Sequence, residues 1–117
     1  MDFEAAKALC RSFPGCTEDI KWGADLVFSV GTKMFAVTGN EAPAEGMSFK
    51  VEDERFLELT DRPGIVPAPY LARAKWVYVN AAADLCDDEA AALLRRSYEL
   101  VFAGLTKKLQ REILAAV

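Results

Sequence analysis

The residues best equipped for recognition chemistry in this sequence are cations set beside aromatic rings. Lys21-Trp22-Gly23 puts an ammonium next to an indole, a combination that can hold a phosphate and stack a flat ring. The segment 62–83 repeats the theme on a larger scale. It carries three basic residues, no acidic one, three prolines, and the rings of Tyr70, Trp76 and Tyr78. The chain as a whole has 18 acidic and 14 basic residues and a net charge of −4, so this local reversal of sign has the character of an anion site. Arg73 and Lys75 have period-two spacing. In extended structure both would point to one face, with Ala74, Trp76 and Tyr78 on the other. Lys33, just after a turn signal, and Lys50 complete a set of five cations. The same residues also have plainer uses. Trp22 can lid the open edge of a core, and the proline-rich loop can turn the chain and feed Trp76 into the interior.

Other chemistry is removed by what the sequence lacks. There is no histidine, which eliminates the commonest general base, the commonest metal ligand and every Ser-His or Cys-His nucleophile. A non-enzymatic domain with no cofactor is expected. Cys10, Cys16 and Cys86 form an odd set without a Cys-x-x-Cys pair, and free thiols are expected in a reducing compartment. The acid clusters at 52–54 and 84–89 fall where helices begin and the dipole favours negative charge, and neither follows a calcium-loop pattern, so no metal site is expected. The acidic balance opposes coating of nucleic acid by bulk electrostatics, leaving a local patch as the only route to DNA. The first residues lack a secretory or transit pattern, and no apolar run nears the roughly 20 residues of a membrane span. A cytoplasmic protein with no membrane partner is expected.

The elements that must position these residues read as a single α+β domain over 1–117. Asp2 can cap a first helix carrying Phe3, Ala6, Leu9, Cys10 and Phe13, which Pro14-Gly15 ends. Strands are predicted at 26–30 and 33–37, joined as a hairpin by Gly31-Thr32. A loop over 39–46 leads to a third strand near 47–51. Glu52-Asp53-Glu54 opens a short helix bearing Phe56, Leu57 and Leu59. The stretch 63–69 reads as a stiff extended loop, followed by a strand through Trp76-Val77-Tyr78-Val79. A long helix from Asp87 carries Leu94, Ser97, Tyr98, Val101 and Leu105, with Gly104 ending or kinking it. Thr106 can cap a last piece with Leu109 and Ile113. The order helix, three strands, helix, strand, helix suits an antiparallel sheet with helices packed on one face.

Taken in order, Pro14-Gly15, Lys21-Trp22-Gly23, Val30-Gly31-Thr32-Lys33-Met34-Phe35-Ala36, Pro67-Ala68-Pro69-Tyr70-Leu71-Ala72, Lys75-Trp76-Val77 and Ser97-Tyr98-Glu99-Leu100-Val101 resemble the MmcQ/YjbR family of small bacterial proteins. The resemblance spans nearly the whole chain. It implies a frataxin-like (CyaY-like) two-layer α+β sandwich and a DNA-binding role described through a double-wing arrangement. Thr32 stands where the family often has a second glycine, and Thr106 where a proline is common.

The leading expectation is therefore a binding domain that contacts DNA through its sheet side, with Lys21, Lys33, Lys50, Arg73 and Lys75 on phosphates and Trp22 or Tyr70 stacking. Its rival is a small-molecule or protein interaction module in which Trp22 and the 67–70 loop line a pocket.

Overall fold

The computed structural model describes residues 1–40 and 45–117. Helix α1 (Phe3–Ser12) starts at Asp2, whose carboxylate accepts from the amides of Glu4 and Ala5 at 3.0 and 3.1 Å, satisfying donors that a helix start otherwise leaves unpaired. Strands β1 (Cys16–Lys21), β2 (Asp25–Val30), β3 (Lys33–Gly39) and β4 (Gly46–Lys50) follow as a meander. Then come α2 (Asp53–Thr60), β5 (Ile65–Pro67), a 3-10 turn at Ala72–Ala74, β6 (Trp76–Asn80), α3 (Asp87–Ala103) and α4 (Lys107–Ala115). The six strands lie in the order β1-β2-β3-β4-β6-β5 and every neighbouring pair is antiparallel. The expected loop at 39–46 falls in part outside the described residues. Among those described, no helix is long and apolar enough to cross a membrane.

The Gly31-Thr32 hairpin takes the form the pattern called for. Both residues are left-handed, at φ 55 and 74, as a two-residue turn matched to strand twist requires. Gly31 is also needed for space, because a Cβ there would lie 2.7 Å from Leu105, which begins the approach to α4.

Two strands were not apparent in the sequence. β1 reads Cys-Thr-Glu-Asp-Ile-Lys and is an edge strand with five exposed residues, so it shows no apolar alternation. β5 is three residues long, and Pro67, which cannot donate to a ladder, closes it on the opposite edge.

The core lies between the sheet and its helices. Phe28, Phe35, Met47, Phe49, Leu59, Ile65 and Leu94 are fully buried there. Phe28 pairs with Ala36 and Ser29 with Met34, so Phe35 is an extra residue in β3, a β-bulge that sends both Phe35 and Ala36 into the core. Ser97, with no exposed surface, repairs the local ladder: its hydroxyl donates to the Phe35 carbonyl at 2.7 Å and accepts from the Lys50 amide at 3.0 Å. One residue later the Tyr98 hydroxyl donates to the Pro14 carbonyl, and its ring packs against Phe13, Phe35 and Phe102. The three cysteines are free. Burial pushes the Cys10 thiol up to about 12 and Cys16 to about 11, so neither is a thiolate at neutral pH.

Candidate ligand cleft on the open sheet face

Alternation places a second set of side chains on the face the helices leave bare. The register aligns Asp19, Val27, Val37, Ser48, Tyr78 and Val66 in one row across all six strands. Two loops rise over this row from opposite ends of the sheet.

The first is the β1–β2 turn of Trp22, Gly23 and Ala24, which joins the paired residues Lys21 and Asp25. Trp22 is 71 % exposed and left-handed at φ 53. The second is the connection 68–75 between β5 and β6. It is pinned by the Ala68 amide donating to the Trp76 carbonyl at 3.0 Å and the Trp76 amide to the Leu71 carbonyl at 3.2 Å. Trp76, 4 % exposed, is buried outside the main core cluster, together with Ala68 and Val27.

At the tip of this connection the Leu71 amide donates to the Ala68 carbonyl at 3.2 Å, with Pro69 and Tyr70 between them and Tyr70 at φ 66. This is the pattern of a type II turn, whose third position calls for glycine. An aromatic residue there costs about 1 kcal/mol or more in backbone strain. Tyr70 recovers nothing through burial, since its side chain is fully exposed.

Between the two loops lies a cleft of about 470 Å³ with Met34, Val37 and Ser48 as its floor, Asp25 at one side, and Trp22, Pro69, Tyr70 and Leu71 as its walls. A second lobe of about 580 Å³ shares Asp25, Val37, Ser48 and Pro69 and continues to Asn40, Glu45, Gly46 and Tyr78. Gly46 shapes this lobe: a Cβ there would collide with the Tyr78 ring, so the ring lies against bare backbone.

The five cations named from the sequence are placed in three regions. Lys21 sits beside Trp22 at one end of the sheet. Lys33 is at the other end, after the hairpin turn. Lys50, Arg73 and Lys75 gather at a corner near that second end: the Lys50 ammonium donates to the Ala74 carbonyl at 2.5 Å, Arg73 is exposed on the 3-10 turn, and the Lys75 ammonium lies 5.2 Å over the Phe56 ring of α2. The expectation that Arg73 and Lys75 share a face of extended chain is corrected. Ala72–Ala74 is a 3-10 turn and Lys75 is left-handed at φ 62, so period-two geometry begins only at Trp76. Among the described residues none of the five cations forms an ion pair, whereas Lys7, Arg11, Arg55, Arg62 and Arg96 all do. Arg62, the first cation of the acid-free segment, is engaged structurally: it meets Glu89 at 2.7 Å, and these hydrogen bonds hold the Glu89 carboxyl below its ordinary range.

Trp22 and the 67–70 loop, singled out in the sequence, thus line one cleft. Tyr78 was also named there, whereas Met34, Val37 and Ser48 carried no local signal, because strand register alone assembles them with Asp25. Among the described residues no group of histidine, cysteine or carboxylate side chains is arranged to hold a metal ion.

The YjbR family model matches residues 11–100. The chain belongs to the YjbR family. A crystal structure of the Deinococcus radiodurans protein DR2400, with family-model domain DUF419, superposes with a TM-score of 0.80 at 30 % identity, covering 95 % of this chain and 86 % of that one. The crystal structure of a Pseudomonas syringae protein, a structural-genomics target, superposes with a TM-score of 0.70 at 21 % identity, covering 86 % of this chain and 99 % of that one. Its likeness to this YjbR domain is one of fold. No curated protein matches the chain.

Proposed function

We propose that this YjbR domain is a non-catalytic binding module whose ligand enters the open-face cleft between Trp22 and Tyr70. The observation that carries this reading is Tyr70: a fully exposed aromatic at a turn position suited to glycine. Such a residue lowers stability without filling the core, and its position on the wall of a cleft gives it a different use. The setting we propose is the cytoplasm, in keeping with three free cysteines. A metabolite screen read by thermal shift tests the reading, because a ligand that binds only the native state raises the melting temperature. A stabilising compound whose effect vanishes in Trp22→Leu and Tyr70→Leu supports it. Stabilising compounds that act equally on both variants contradict it.

A second reading, DNA binding, is favoured by the corner of Lys50, Arg73 and Lys75, whose charges meet no carboxylate among the described residues. Phosphates there would leave Trp22 and Tyr70 free to stack unpaired bases. Lys21 stands at the opposite end of the sheet and does not join that corner. The salt slope separates the readings: three phosphate contacts give a log–log slope of about −2 to −3, and a combined Lys50, Arg73 and Lys75 to alanine variant removes it. Absence of a mobility shift at low salt rules out the DNA reading and leaves the cleft reading untouched.

A further inference from the structure

The charge of the cleft narrows what it can hold. Among the described residues that line its two lobes there is no lysine or arginine, and there are two carboxylates, Asp25 in both lobes and Glu45 in the second. Lys21 stands opposite Asp25 in the β1–β2 register, yet no ion pair joins them and Lys21 is not part of the lining. The corner cations are turned elsewhere: Lys50 to a backbone carbonyl, Lys75 to the Phe56 ring. A phosphate or carboxylate entering between Trp22 and Tyr70 would face Asp25 with no cation in the lining to offset the repulsion. A cation would meet that carboxylate and two exposed π-faces together, the arrangement by which aromatic clefts recognise alkylammonium groups. Met34, Val37 and Leu71 add an apolar floor and wall against which the uncharged body of a ligand can lie.

Resting on the cleft reading above, we propose that the ligand is a small organic cation: an ammonium group attached to a flat or branched apolar body. The ammonium lies against Asp25, the body lies on Val37 and Met34, and the rings of Trp22 and Tyr70 close over it from the two loops. A fit of this kind explains why both rings stay exposed and why both sit on left-handed residues. The turns hold the rings above the sheet face, where they are kept from collapsing onto Val37 or Ser48.

The test compares three fragments of similar shape and different charge, benzylamine, benzyl alcohol and benzoate, titrated into the full chain. Fluorescence of Trp22 is the readout, since Trp76 is 4 % exposed, and Trp22→Leu supplies the background. The expected order is benzylamine first and benzoate last, with the cation favoured over the alcohol by about tenfold, the scale of one charge-assisted ring and carboxylate contact at a partly exposed site. In Asp25→Asn that preference disappears while benzyl alcohol binds as before, and a thermal melt confirms that the variant is folded. Tyr70→Leu weakens all three. Equal binding of benzylamine and benzyl alcohol, or tighter binding of benzoate, overturns the cationic class and leaves the cleft reading standing. If no fragment perturbs Trp22 at any soluble concentration, both are overturned.

Discussion

The two faces of this sheet are built from alternate residues of the same strands, yet they are finished in opposite ways. On the helix face Phe28, Phe35, Phe49 and Leu94 are sealed, and even the bulge at Phe35 has its carbonyl answered by Ser97. On the open face Val37, Ser48 and Tyr78 remain partly accessible, and the two large rings nearest to them project into solvent from strained backbone. Burial and hydrogen bonding stabilise the first face. The second keeps features that lower stability, a division expected where one surface holds the fold and the other meets a partner.

Substitutions that break this contrast should differ in size. Phe35→Ala removes a fully buried ring at the bulge and is expected to cost about 3–5 kcal/mol in urea unfolding. A cost below about 1 kcal/mol would mean the helix face is not the stabilising one. Ser97→Ala strands the Phe35 carbonyl and the Lys50 amide in a dry interior, for an expected loss of about 2 kcal/mol. Gly46→Ala tests the open face directly. The new methyl group must displace the Tyr78 ring, costing about 1 kcal/mol or more and reshaping the second lobe of the cleft, visible as a shift of the Tyr78 ring resonances. Tyr70→Gly should leave stability within about 0.5 kcal/mol of the parent, because relief of the left-handed strain offsets the greater freedom of glycine in the unfolded chain. It should nevertheless lose the ligand response. A large fall in stability would show that Tyr70 is structural.

The smallest effect concerns pH. Arg62 holds the Glu89 carboxyl below its ordinary value of 4.5 in the folded chain. A depressed carboxyl contributes stability that is complete above its unfolded value and is lost as pH falls through the folded one. Glu89→Gln should therefore lower stability by a constant amount above about pH 4.5, with the two curves converging as pH falls below it. The change is modest because both side chains are about a third exposed, at 30 % and 32 %. Parallel curves for the two proteins would show that the pair carries no stability.

Much of this fold was legible because local chemistry and tertiary structure agree. The Asp2 cap, the Gly31-Thr32 turn, the acidic start of α2 and Thr106 at the start of α4 are statements about adjacent residues, and each is found where it was read. β1 stayed hidden because an exposed edge strand has no apolar face to display. β5 stayed hidden because three residues ending in proline look like loop. In the cleft, Trp22 and Tyr70 stood out by type. Asp25, Val37 and Ser48 became neighbours only through register, which no single strand encodes. Arg73 and Lys75 misled because spacing was read as extended chain, while Ala72–Ala74 is a 3-10 turn and Lys75 is left-handed.

The central claim is that the open face, between Trp22 and Tyr70, is where this protein meets its ligand. Amide and indole proton–nitrogen spectra recorded while benzylamine is added test it most directly. The expected perturbations are the Trp22 indole and the amides of Asp25, Val37, Ser48, Tyr70 and Leu71, with α1 and α3 unmoved. Shifts confined to the helix face, or to the corner of Lys50, Arg73 and Lys75, would contradict it.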